Sequence, residues 1–328
     1  MFTTPLKHIL RSERIGSDAD DPAIWIPSVA RNRFFVLGTN KASAAEGGSV
    51  VILDETGRVR LTVGNIDRPN NVHVLHGVRT PDGKCDIAIA TERLTNRLRI
   101  WELTVNGSTL AAKEVILGGY GILFPGEIGD KAAPMGVTGS VGRDGRADIY
   151  ISRKSGPRQG YVHHMRLSLL SGRPTLTFLR AIVEFSGVKE MEALAIAVDQ
   201  KFLYAADERY GIRRIDLHNG QPAGVIPGAH FEGDQEGIAA TRIGGRRIVL
   251  CTDQLPLASR YLVFDEQNAS TLLGVFTGQS DSTDGIDASD HVHTKAFPHG
   301  VLIAMHSVGA CFDYYALPER LPCSVTSI

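Results

Sequence analysis

Three cations close three similar segments of the chain. Lys41 ends FFVLGTNK, Arg93 ends DIAIATER and Lys154 ends DIYISRK. A second set of residues is acidic and recurs just ahead of apolar runs: Asp18, Asp20 and Asp21, then Glu190 and Glu192, then Asp234 and Glu236, then Asp281, Asp284 and Asp287. Asn70 and Asn71 hold the same place once, and Pro134 and Met135 once. Glu92, Asp207, Glu208, Asp253, Gln254 and His306 stand at the ends of segments like those that carry the cations. Carboxylate and amide oxygens in this density suit a hard divalent cation, and calcium takes about 6–8 oxygens in flexible geometry. Lys and Arg beside such acids suit a phosphorylated substrate. Acids packed on one face repel one another unless cations stand between them. Taken singly, an Asp or Asn ahead of a strand is equally a turn residue that bonds its own backbone. Recurrence at one position of a repeat is what turns these residues into a candidate site.

The repeat also predicts the elements that position them. Six short β-rich segments share one shape: FFVLGTNK, DIAIATER, DIYISRK, FLYAADE, IVLCTDQ and VLIAMHS, starting roughly 50 residues apart, close to the length of a four-stranded propeller blade. A second apolar run precedes each, and an alternating run such as SVVILDE or LRIWELTV follows. Fourth strands are expected at 60–64, 113–117, 175–183, 223–228 and 271–276. The sixth unit lacks one, and the N-terminal PLKHILRSERI is expected to supply it and close the ring. The reading is all-β: a six-bladed β-propeller with four-stranded antiparallel blades, one domain over residues 1–328. A β-sandwich or a pair of all-β domains is the competing architecture. In a propeller, the loops ahead of the first strand and behind the second open on one face, so these distant residues converge there.

Composition bounds the function. The chain has 328 residues, 43% hydrophobic and 22% charged, with 35 Lys+Arg against 36 Asp+Glu. That balance excludes the basic footprint of general nucleic-acid binding. Apolar runs fall short of the length that spans a membrane, and a monomer is expected. Cys85, Cys251, Cys311 and Cys323 form no CxxC pair, which argues against a zinc site. Cys85 and Cys251 are expected in the core, and Cys311 and Cys323 are a candidate pair. The opening residues carry no secretory apolar region. The protein is therefore cytoplasmic, or it is secreted or periplasmic with its leader removed. A P-loop and a GxSxG nucleophile elbow are both absent, against NTP binding and serine hydrolysis.

The motifs carry a family resemblance. SDADDPAIWI (17–26) resembles the opening of the β-propeller phytases, and GTNK, RPNNVHV, TERLTNRLRIWEL, SRKSG, EMEALAIA, YAADE, GDQEGIA and DSTDGID follow in that family's order. The resemblance implies a six-bladed propeller and a calcium-dependent phosphomonoesterase. Its substrate would be phytate (inositol hexakisphosphate), cleaved by a calcium-bound water that attacks phosphorus. By motif position Lys41, Arg93 and Lys154 resemble the phosphate-binding and catalytic cations. Asp20, Asp21, Glu192, Glu208, Asp234, Glu236, Gln254, Asp284 and Asp287 resemble calcium ligands or their close neighbours, with Glu192 and Glu236 also counted as catalytic.

The chain departs from the family pattern at several places. His73 stands where an Asp is usual after NNV, followed by Leu75 and His76 in place of an Arg-Tyr pair. Met135 stands for a Tyr, Ala193 for a Gly, and His306-Ser307 for an acidic or Asn-bearing turn. Loss of oxygen ligands weakens calcium binding or removes one ion. Two other functions remain open on the residues: a calcium-centred propeller hydrolase of lactonase or arylesterase type, which has no need of the three cations together, and a propeller that binds a phosphorylated ligand without turnover.

Overall fold

The structure is a computed structural model that describes residues 1–30, 33–118, 123–170 and 173–322. Six sheets follow one another along the chain as the blades of a β-propeller. The first blade is Ala19–Trp25, Phe35–Asn40, Ser49–Asp54 and Val59–Val63, ordered from the channel outward. The second to fifth repeat this antiparallel meander and begin at Pro69, Pro134, Met191 and Asp234. Second strands lie between neighbouring blades and are covered on both faces. Phe35–Asn40 and Val301–His306 are buried at every position, which is why they read as continuous apolar runs. Outer strands such as Val59–Val63 alternate between half-buried and exposed residues, as one-sided packing requires.

The N-terminal segment closes the ring. His8–Arg11 pairs antiparallel with Cys311–Ala316 as the outer strand of the sixth blade. Arg11 donates Nε and Nη2 to the carboxylate of the fully buried Asp313 at 2.7 and 2.9 Å, a bidentate clasp between the two ends of the chain. The preceding residues go further than expected. Phe2–Pro5 pairs parallel with Leu272–Thr277, so the fifth blade has five strands, not four. The outer strand of the second blade also differs from the expected 113–117. Asn106 and Thr109 are already paired, and Gly107 takes φ +59, so the strand starts at once and runs over Thr109–Glu114.

One feature of the inner strands bears directly on the site. In five blades the register between first and second strand slips near the channel mouth, at Ala19/Pro22, Pro69/Val72, Pro134/Val137, Met191/Leu194 and Gln235/Ile238. A bulge of this kind re-aims a side chain that a regular strand would turn away. It places Asp20, Asn70, Met135, Glu192 and Glu236 at equivalent positions around the ring. A hydroxyl on the second strand pins each of the first three bulges. Thr39, Thr91 and Ser152 accept from Asp21, Asn71 and Gly136 within their own blade at 2.9–3.1 Å. They donate to the carbonyls of Asn70, Met135 and Met191 in the next blade at 2.6–2.7 Å. Gly136 is obligatory here, because a Cβ would stand 1.8 Å from the carbonyl oxygen of Glu192.

Candidate functional site

The three hydroxyls that latch the blades lie two residues before Lys41, Arg93 and Lys154, so the same turn that fixes the bulge also presents the cation. Lys41 Nζ lies 2.5 Å from Asp20 Oδ1, 3.6 Å from Asp284 and 4.0 Å from Glu192. Gln254 donates its amide to Asp284. Arg93 Nη1 donates to Asn70 Oδ1 at 3.1 Å, and Asn70 Nδ2 donates to Glu192 Oε1 at 2.7 Å. Lys154 Nζ donates to Glu190 at 2.6 Å. Carboxylate oxygens of Glu190, Glu192 and Glu208 lie within 4.8 Å of one another, as do those of Glu208, Asp234 and Glu236. These contacts join the sixth, first, second, fourth and fifth blades into one polar cluster at the channel mouth, with Lys154 of the third blade attached through Glu190.

The cluster is acidic and largely buried. Burial, reinforced by Glu192, Glu208 and Asp284, holds the Glu236 carboxyl well above its ordinary range. Burial pushes Glu208 up to about 7, although Lys189 opposes the shift. Burial also raises Asp20 strongly and Asp284 less so, with Lys41 opposing and Glu192 reinforcing in both. Lys41 is held well above the ordinary lysine value: its own burial is outweighed by Asp20, Glu192 and Asp284. These are carboxylates whose charge is penalised until a cation sits among them.

Not every expected ligand faces the mouth in the same way. Asp21 Oδ2 accepts from the Val72 amide at 2.9 Å. Asp287 accepts from Ile24 at 2.7 Å and from Ala288 at 2.8 Å, and burial lifts it to about 6. Both carboxylates are thus tied to inner-strand backbone at the upper wall of the channel. Asp281 pairs with His306 Nδ1 at 2.7 Å and caps the sixth-blade turn, apart from the acidic cluster. Among the other departures, His73 Nε2 lies 3.1 Å from the Gly139 carbonyl oxygen, and burial lowers its pKa to about 4, so the ring is neutral. Met135 is 1% exposed and offers the ring of bulges no polar side chain. Cys311 is buried beside the sixth-blade turn, while Cys323 lies outside the described residues.

Lys189 was not singled out by its sequence. It pairs with Glu208, with Asp234 at 2.9 Å and with Glu236 at 3.6 Å. The available signal was its place three residues before Glu192, in the loop that also supplies Glu190.

The donor set fits a hard cation. Asp20 Oδ2, Glu208 Oε1 and Glu236 Oε2 are buried without a hydrogen-bond partner, and oxygens within 4.8 Å of one another can share an ion that binds each at about 2.3–2.6 Å. Below the mouth runs a channel of about 660 Å³ walled by residues such as Ala193, Ala195, Val137, Ile238 and Ala239. The same wall also carries the polar side chains of His73, His76, Arg242, Asp287, Asp290 and His291.

A family model described as Phytase matches residues 12–118. The match bears out the resemblance over the first two blades of the six-bladed propeller. The matched range includes Asp20, Asp21, Lys41, Asn70 and Arg93; the remaining members of the cluster lie beyond it. No curated protein matches the chain. No helix among the described residues is long and apolar enough to cross a membrane.

Proposed function

We propose that the protein is a calcium-dependent phosphomonoesterase that hydrolyses phytate at the mouth of the propeller channel. The observation that carries this reading is the interleaving of Lys41, Arg93 and Lys154 with buried carboxylates, three of whose oxygens lack a partner. Asp20, Glu192, Glu208, Asp234, Glu236, Gln254 and Asp284 would hold calcium, with Asp21 and Asp287 beneath them. Calcium bound there supplies positive charge to the phosphate oxygens and acidifies a water for attack on phosphorus. Arg93 and Lys154 each have one side-chain hydrogen-bond partner in the cluster and N–H groups to spare for phosphate oxygens. Lys41 is more deeply set and neutralises Asp20 while facing the same space. Asn70 aligns Arg93 with Glu192. A hydrolysis of this type needs no Ser, Cys or His nucleophile.

The three cations also separate this reading from a lactonase or arylesterase, whose uncharged substrates give them no task. Met135, an apolar member of the mouth ring, favours a second reading, a propeller that binds phosphorylated ligand without turnover. Phosphate release from phytate, measured with calcium and with chelator beside a lactone and an aryl ester, tests all three.

A further inference from the structure

Lys189 occupies the centre of a group that is also able to hold a metal ion. Its Nζ pairs with Glu208, lies 2.9 Å from Asp234 and lies 3.6 Å from Glu236, the same three residues whose oxygens lie within 4.8 Å of one another. Glu208 is 0% exposed and Glu236 4% exposed, yet Glu208 Oε1 and Glu236 Oε2 have no hydrogen-bond partner. One ammonium therefore stands against three carboxylates and leaves buried oxygens unsatisfied.

We infer that Lys189 is a tethered counter-ion of the Glu208–Asp234–Glu236 cluster, and that a divalent cation enters this cluster by displacing it. The inference rests on the calcium reading above and adds to it how occupancy of this part of the site is set. An ammonium and a divalent ion cannot share the space between the same oxygens, because like charges a few ångströms apart repel. A divalent ion neutralises more of the charge and coordinates oxygens that the ammonium leaves bare. The Lys189 side chain is 34% exposed and can swing its ammonium into water on a flexible stem. Lys41, at 15%, is walled in by Asp20, Asp284 and Glu192 and stays. After displacement Asp234 keeps a partner in Arg209 Nε at 3.0 Å, so the exchange does not strand it. Apparent calcium affinity at the cluster is then lowered by the fraction of time Lys189 fills it.

The test is a calorimetric calcium titration of chelator-stripped protein as wild type, Lys189→Met and Lys189→Arg. Lys189→Met should tighten one calcium site at least ~tenfold, because the competing state is gone. Lys189→Arg, which keeps the charge, should bind no tighter than wild type. In wild-type protein an amine-acylating reagent should label Lys189 faster with calcium than with chelator, while labelling of the exposed Lys295 stays the same. Equal, measurable calcium affinity in wild type and Lys189→Met would overturn the inference and leave the calcium reading standing. No calcium binding in either protein would overturn both. Should Lys189→Met fail to fold when stripped, the labelling experiment decides alone, and calcium-independent labelling of Lys189 overturns the inference.

Discussion

Asn70 in the second blade and Glu192 in the fourth are hydrogen-bonded at 2.7 Å, Nδ2 to Oε1, past the third blade between them. The third blade contributes the apolar Met135 at the equivalent position of its bulge. The carbonyl of the same amide accepts from Arg93 at 3.1 Å, so a single fully buried side chain joins the proposed phosphate-binding cation to a proposed calcium ligand. Asn70→Ala should leave Arg93 unanchored and a Glu192 oxygen unpaired. We expect phosphate-ester hydrolysis to fall about tenfold, and stability to fall by about 1–3 kcal/mol. Steady-state kinetics and urea unfolding check the pair of effects, and a variant with unaltered kinetics would remove Asn70 from the site.

The three cations should not respond alike to truncation. Arg93→Ala and Lys154→Ala are each expected to lower phytate hydrolysis at least about tenfold, with melting temperature within about 2 °C of wild type because a half-exposed cation contributes little to folding. Lys41→Ala removes the counter-ion of the buried Asp20 and should lower both activity and the melting temperature. Parallel kinetics and thermal melts test the contrast. Equal destabilisation by all three would make them structural.

Glu236→Gln removes a buried charge that repels Glu192, Glu208 and Asp284 while keeping nearly the same shape. The calcium-free variant should melt higher than calcium-free wild type, bind calcium more weakly and lose most turnover, with partial recovery at high calcium. Full activity of Glu236→Gln at low calcium would exclude Glu236 from the reaction.

The raised carboxyls make stability depend on pH. A carboxyl whose folded value is raised binds its proton more tightly in the native state, so its contribution is full at acid pH and is lost as pH rises to the folded value. Glu208 at about 7, Asp287 at about 6, and Asp20, Asp21, Glu236 and Asp284, all raised by burial, act in this direction. The buried His73 and His163, lowered to about 4, act oppositely, and their effect is complete near the ordinary histidine value. From pH ~6.5 upward the carboxyls act alone. In chelator the melting temperature should therefore fall between pH ~6.5 and ~8, and calcium should flatten that fall because metal competes with protons for the same oxygens. A melting temperature that rises through this window in chelator would contradict the charge account.

Much of this was legible in the residues because the repeat is written in them. Runs such as FFVLGTNK and DIAIATER are buried on both faces, and their recurrence marks six blades. The site acids were legible because a bulge recurs at one position of the repeat, so Asp20, Glu192 and Glu236 stand equally placed in their motifs. Side-chain direction was less accessible. Asp281 and Asp284 lie in one DSTDGID run, yet one turns to His306 and the other to Lys41 and Gln254. Lys189 is signalled only by its place three residues before Glu192, since a lone lysine in a loop is ordinarily solvated; the approach of the fifth blade's acids gives it its role. The parallel strand at Phe2–Pro5 has no local signal for a similar reason: it pairs with Leu272–Thr277, Phe2 opposite Gly274, and the ring must close before that distant edge is near.

Hydrolysis of phytate by a calcium-loaded cluster at the channel mouth is the proposed activity. It is tested most directly by release of inorganic phosphate from phytate by purified protein, with calcium present and after chelation, beside a lactone and an aryl ester. Phosphate release should depend on calcium, cease in chelator and return with added calcium, with no comparable turnover of the uncharged substrates. Phosphate release unchanged by exhaustive chelation, or lactone or aryl-ester hydrolysis in place of phosphate release, would contradict it.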